Sequence, residues 1–172
     1  MNKKRADELI TLLDLAPHPE GGYCREIHQS KSKVISSSSI VRGHADAESS
    51  ASRNAITVIY FLLMEGQHSR WHQVDADEIW HHCEGDPLEL IWFMPGESNY
   101  ERQTLGPLSA RSVPVQAVPA GAWQAAHPLG AYTLASCTVA PGFDFKGFRL
   151  LAQAPDEARF LRTQWPELAE FL

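Results

Sequence analysis

The chain has no pair of cysteines close enough in sequence to make a C-x-x-C motif. Cys24, Cys83 and Cys137 are widely spaced and odd in number. This excludes a local zinc or dithiol site and points to reduced thiols in a cytoplasmic protein. No apolar run is long enough to span a bilayer. Met1 to Arg5 leads into Asp7-Glu8 rather than into an apolar stretch, so no signal peptide is expected. Cationic excess is missing too. Fifteen Lys and Arg against 21 Asp and Glu give a formal charge of -6, which argues against nucleic acid or an anionic membrane as partner. No internal repeat and no dividing linker are visible. The serine-rich stretch Lys31 to Arg53 lacks the glycine spacing of a phosphate cradle. What is present is ordinary for a globular protein: 172 residues, 44% hydrophobic and 21% charged, enough for one domain over 1–172 with a sizeable core.

Ala6, Leu9, Ile10 and Leu13 recur at helical spacing, so Lys4 to Leu15 reads as a short amphipathic helix, ended by Pro17 and Pro19. Tyr23 to Gln29 alternates as a strand, with Tyr23, Arg25 and Ile27 on one face. Lys31 to Arg53 reads as a mobile loop with a short edge strand near Ile40-Val41. Further strands are expected over Asn54–Met64, Leu88–Met94, Asn99–Leu105, Val113–Val118, Ala122–Ala126 and Ala131–Val139. Pro155 opens a C-terminal helix that Pro166 breaks or kinks. Short strands separated by regular turn signals predict an all-β sandwich or barrel.

The stretch Gly66 to Gly85, GQHSRWHQVDADEIWHHCEG, dominates the chain. Its alternation into and out of Asp75-Ala76-Asp77 predicts two strands joined by a tight turn. With period 2, Arg70, His72, Val74, Glu78, Trp80 and His82 share one face. That face combines a base, a carboxylate, a guanidinium and an indole; an exposed, charged hairpin face is the plainer alternative.

The spacing resembles the first cupin motif, G-x5-H-x-H-x3-E-x6-G, at every interval, with Val74 in place of the second histidine. Val113 to Pro128 resembles the second motif: Pro119 and Gly121 match, Gln124 replaces its histidine, and Val113 and Pro128 replace its opening glycine and final asparagine. His18 to Tyr23, Asp77 to Trp80, Gly85 to Leu88 and Val139 to Phe145 are similar to the signatures of the fifth cupin group, a domain of unknown function. The resemblance covers roughly Leu9 to Gln153. It implies a double-stranded β-helix, or jelly roll, with a core over about 20–153, short terminal helices and a small-molecule site in the barrel mouth. It also implies a homodimer exchanging N-terminal strands.

Three chemistries are open for that cup. Cupins often hold a divalent metal with three histidines and a glutamate. Here His72, Glu78 and Gln124 would be the only candidates. Two good ligands and one amide make a poor closed site, so no cofactor is expected and a divalent metal remains the alternative. Metal-free proton transfer is the second: His72 and Glu78 would act as base and acid on a small polar, carbohydrate-like ligand. The fold resembles that of the metal-free sugar-nucleotide 3,5-epimerases, and Tyr23, Tyr60 and Tyr132 are candidate proton donors. Non-catalytic binding or sensing is the third. Trp80 and Trp92 would offer stacking faces, and Arg25 and Arg70 would clamp an anionic group, with His82 and Gln124 on the wall. By strand parity Trp71 and Trp123 face the opposite way.

Overall fold

The computed structural model describes residues 2–35 and 52–172. The edge strand expected near Ile40-Val41 and most of the serine-rich stretch lie outside them. Helix α1 spans Asn2–Leu12. It stops short of the expected Leu15 because Asp14 turns left-handed, with φ of 52°. Asp14 N–H then returns to Thr11 O and Leu15 N–H to Ile10 O, closing a Schellman end.

The strands are β1 (Ala16–Pro17), β2 (Tyr23–Gln29), β3 (Lys33–Ile35), β4 (Ser52–Asn54), β5 (Thr57–Met64), β6 (Ser69–Val74), β7 (Asp77–Gly85), β8 (Leu88–Phe93), β9 (Glu101–Leu105), β10 (Val115–Val118), β11 (Trp123–Pro128), β12 (Tyr132–Ala140) and β13 (Phe148–Leu150). They form a six-stranded sheet ordered β1-β2-β5-β12-β7-β10, a five-stranded sheet ordered β13-β6-β11-β8-β9, and the pair β3-β4. All these pairings are antiparallel. The result is the expected all-β jelly roll.

Three apolar layers follow. Between the sheets lie Phe61, Leu63, Trp80, Ala135 and Cys137 from one side and Leu88, Leu90, Leu105 and Ala126 from the other. Outside the six-stranded sheet, Ala6 and Leu9 of α1 pack on Leu62, Tyr132 and Leu134. Outside the five-stranded sheet, Trp71, Phe93 and Trp123 meet Leu161, Trp165, Leu168 and Phe171. Leu161 comes from helix α2 (Pro155–Gln164), Trp165 from the break after it, and Leu168 and Phe171 from the 3-10 turn Pro166–Phe171.

One expectation about the central stretch is corrected. Strands β6 and β7 are not a hydrogen-bonded hairpin: β6 pairs with β11 and β13, and β7 pairs with β10 and β12. Asp75-Ala76 is a corner that carries the chain from one sheet to the facing one. Its backbone is held from the side, by Gly121 N–H on Val74 O and by Ala120 N–H on the Asp77 carboxylate. Alternation reports which residues share a side, and both arrangements give the same alternation.

Candidate functional site

A cavity of about 60 Å³ opens between the sheets at the end that carries the β6–β7 corner, room for about four waters. Its lining includes His72 and Val74 from β6, Glu78 from β7, Thr57 and Ile59 from β5, Cys24 from β2, and Cys137 and Val139 from β12. His18, Glu20 and Phe143 complete it from the turn before β2 and the loop after β12.

Glu20 is the residue that sequence reasoning missed. It sits in the turn of His18-Pro19-Glu20-Gly21-Gly22, closed by Gly21 N–H on His18 O and His18 N–H on Gly22 O. Arg70 N–H donates to Glu20 O and fixes the turn against β6. The Glu20 carboxyl then enters the cavity and meets His72 Nε2 at 3.4 Å. Ser69 Oγ–H donates to its other oxygen at 3.0 Å, and the His18 ring lies 3.6 Å away. The signal available in sequence was an acidic residue inside an apolar-flanked glycine turn, which composition alone reads as solvent-exposed.

A bulge explains why Ser69, not Arg70, shares the face of His72. Against β11, Gln124 pairs with His72 and Ala126 with Ser69, so β6 carries one extra residue. Arg70 is thereby turned outward, and its guanidinium is tied to Pro19 O.

The protonation pattern can be read from donors and acceptors. His72 Nδ1 lies 2.8 Å from Arg70 O, a pure acceptor, so Nδ1 carries the hydrogen and Nε2 of the neutral ring is bare. Glu78 Oε2 accepts from the Gln124 amide nitrogen at 2.5 Å, and Gln124 Oε1 accepts from the Trp80 indole at 3.1 Å. The indole can only donate, so the orientation of the Gln124 amide is fixed. His72, Glu20 and Glu78 are 2%, 7% and 6% exposed. Burial pushes Glu20 up to about 6, partly countered by His18 and Ser69. Burial likewise pushes Glu78 up to about 6, against His72 and with Glu20 adding to the rise. Burial pushes His72 down, opposed by Glu78, and does the same to His18. Cys24 is pushed up to about 11 by burial, and burial also raises Cys137 well above its ordinary value, with Glu78 beside it adding to the rise. Neither sulfur is a thiolate nucleophile at neutral pH.

Other sequence candidates fall elsewhere. Tyr23, Tyr60 and Tyr132 lie on the outer face of the six-stranded sheet, packed with α1, and the Tyr132 hydroxyl donates to Glu84. Arg25 is on that same face, donating to Leu13 O and paired with Asp14. Parity decides this: Tyr23 and Arg25 are paired with Leu62 and Tyr60, one step from the inward residues. Trp80 faces inward but is sealed in the core edge-on to Phe61, and Trp92 packs on the same core. The His82 ring is tied to Asp86 O, beyond the cavity. Trp71 and Trp123 face the C-terminal helix, as parity predicted.

The expected ligand set of His72, Glu78 and Gln124 does not fit a divalent metal. Val74 offers no ligand atom, and Gln124 spends its oxygen on an indole and aims its amide hydrogens at Glu78. Among the described residues no three His, Cys, Asp or Glu converge on a common ion position. Among those residues, also, no helix is long and apolar enough to cross a membrane.

Comparison with curated proteins gives no match. Among solved structures, a hypothetical protein from Leishmania major is similar at 30% identity with a TM-score of 0.76, over 95% of this chain and 94% of that one. A structural-genomics protein from Shewanella oneidensis has 28% identity and a TM-score of 0.75, over 96% and 92% of the two chains. Lactobacillus farciminis oxalate decarboxylase, at 14% identity and a TM-score of 0.52 over 92% of this chain and 41% of that one, shares the fold alone. The family described as Cupin superfamily (DUF985) matches residues 7–151, with both halves of the site inside the match, and the chain belongs to that family.

Proposed function

We propose that this cupin binds a small polar ligand in the cup and moves a proton on it without a metal. The observation that carries the reading is the meeting of two buried carboxyls and one buried imidazole on a single small cavity. Groups whose proton affinities are drawn toward neutrality by burial suit general acid–base work. Their hydrogen bonds divide the labour. Gln124 offers only N–H to Glu78, which favours the carboxylate and makes Glu78 the base. Glu20 faces the bare Nε2 of His72, so the Glu20–His72 pair holds a proton and is the acid. Glu78 would take a proton from a carbon next to a carbonyl while the pair protonates the carbonyl oxygen. Reversal from the other face gives an epimer, and reversal at the neighbouring carbon gives an isomer.

The expected carbohydrate-like ligand class loses part of its support. Trp80 has no free face, and Arg25 and Arg70 point away from the cavity. The cavity also takes the reacting end of a ligand rather than a whole sugar nucleotide.

The test is solvent-deuterium wash-in. Small hydroxy- and amino-substituted aldehydes, ketones and aldoses are incubated in D2O and followed by proton NMR. Loss of a C–H signal next to the carbonyl is expected with the wild type and not with Glu78→Gln. Exchange that survives unchanged in both Glu78→Gln and His72→Asn would refute the assigned roles. Binding with no exchange across the whole panel would favour a non-catalytic binding cupin.

A further inference from the structure

We propose that the ligand of this cup is a small organic cation, a protonated amine that docks between Glu20 and Glu78. The inference rests on the cavity assigned above and adds the chemical class of what fills it.

The cavity is rich in acceptors and poor in donors. Glu20 and Glu78 present carboxyl oxygens, and His72, whose Nδ1 hydrogen is spent on Arg70 O, turns Nε2 to Glu20 and offers the ligand no N–H of its own. The hydroxyl of Thr57 accepts from Phe143 N–H and keeps a single hydrogen to donate. Among the described residues the lining holds no lysine and no arginine. Two guanidiniums outside the lining are held elsewhere, Arg70 on Pro19 O and Arg53 on Gly142 O and Asp75, with Arg53 Nη2 buried and unpartnered among the described residues. With one proton shared by Glu20 and His72, the Glu78 carboxylate still leaves a buried negative charge that only the neutral Gln124 amide meets. An anionic ligand would meet the same charge. A neutral polyol would satisfy hydrogen bonds but not charge. An alkylammonium brings three N–H donors and one positive charge.

The apolar part of the lining fits the rest of such a ligand. Ile59, Val74 and Val139 line the cavity with Phe143, an aliphatic and aromatic wall for a short carbon chain. Phe148 stacks on the His72 ring at 5.7 Å and backs the imidazole so that its edge, not its face, meets the ligand.

A matched set of probes tests this. Ethylammonium chloride, ethylene glycol and sodium acetate are similar in size and differ in charge. Ligand-observed NMR titration at fixed ionic strength should give ethylammonium an affinity at least tenfold above either of the others. Glu78→Gln and Glu20→Gln, each checked for a cooperative melt, should each erase most of that preference. Equal affinity for the three probes, or preference for acetate, overturns the proposal on the wild type alone, whether or not the variants fold. So does binding of Mn2+ or Zn2+ that ethylammonium fails to displace. The result is separable from the proton-transfer reading. Selective amine binding without deuterium exchange keeps this inference and sinks the catalytic one. Exchange confined to neutral or anionic compounds does the reverse.

Discussion

Glu20 carries a cost that pH should expose. Its carboxyl is raised from an ordinary 4.5 to about 6 in the folded chain, burial being the largest cause. A carboxyl raised on folding binds protons more tightly in the native state. Between about 4.5 and 6 the native state therefore holds the extra proton, and stability declines as pH climbs through that window. Above it the full penalty is present, about 2 kcal/mol for a rise of this size. His72 acts in the opposite sense. Pushed below its ordinary 6.5 by burial, it withdraws stability as pH falls beneath that value. Glu78 shifts with Glu20 and His18 with His72, so wild-type stability alone mixes these groups, and a variant isolates Glu20. In Glu20→Gln the amide cannot ionise, and one of its N–H groups can donate to His72 Nε2 as the protonated acid does. The variant should be more stable than the wild type by about 2 kcal/mol at pH 8 and equal to it at pH 4. Urea midpoints at the two pH values measure it; a difference that does not change with pH would show that Glu20 titrates normally.

At the scale of elements, the turn before β2 does for Glu20 what the β6 bulge does for Ser69, and both escape a periodic reading. Alternation found the strands and put His72, Glu78 and Trp80 on inward positions. It also sent Trp71 and Trp123 outward. It failed where periodicity has an interruption. The extra residue in β6 replaced Arg70 by Ser69, and α1 covers the sheet face that holds Tyr23, Arg25, Tyr60 and Tyr132. It could not tell a hairpin from a corner between facing sheets, because both preserve sidedness. Gly21 is where the turn is least forgiving. Its φ is +118°, and a Cβ there would lie 2.2 Å from the carbonyl oxygen of His68. That oxygen is backbone and cannot swing aside. Gly21→Ala should therefore cost at least about 2 kcal/mol, above the few tenths expected of an exposed turn position. A shift in urea midpoint at unchanged slope would record it. A cost under about 0.5 kcal/mol would mean that the turn moves freely, and Glu20 with it.

At the scale of the whole molecule, β2 forms one of the open sheet edges among the described residues. On its outer side β2 meets β1 only at Tyr23 and Cys24, so among the described residues Arg25 to Gln29 have no ladder partner there. Ile27 is 44% exposed on this edge. It is also the residue that β2 inserts between Glu26 and His28, which pair with the consecutive Ile59 and Val58. A bulge bends an edge strand and shortens the ladder that another chain can add. A long continuous sheet across two copies is therefore disfavoured, and an interface here must lean on apolar contact at Ile27. We propose a two-fold dimer in which this edge packs on itself, each Ile27 meeting the apolar surface of the other copy. Light scattering at low micromolar protein should give twice the 19.2 kDa chain mass. Ile27→Glu places two like charges at the axis of an isologous contact and should return the monomer. Because Ile27 faces away from the core, this change should move stability by less than about 0.5 kcal/mol beyond the loss of association. A wild-type monomer at these concentrations would sink the proposal. So would a dimer indifferent to Ile27→Glu, which would place the contact on another face.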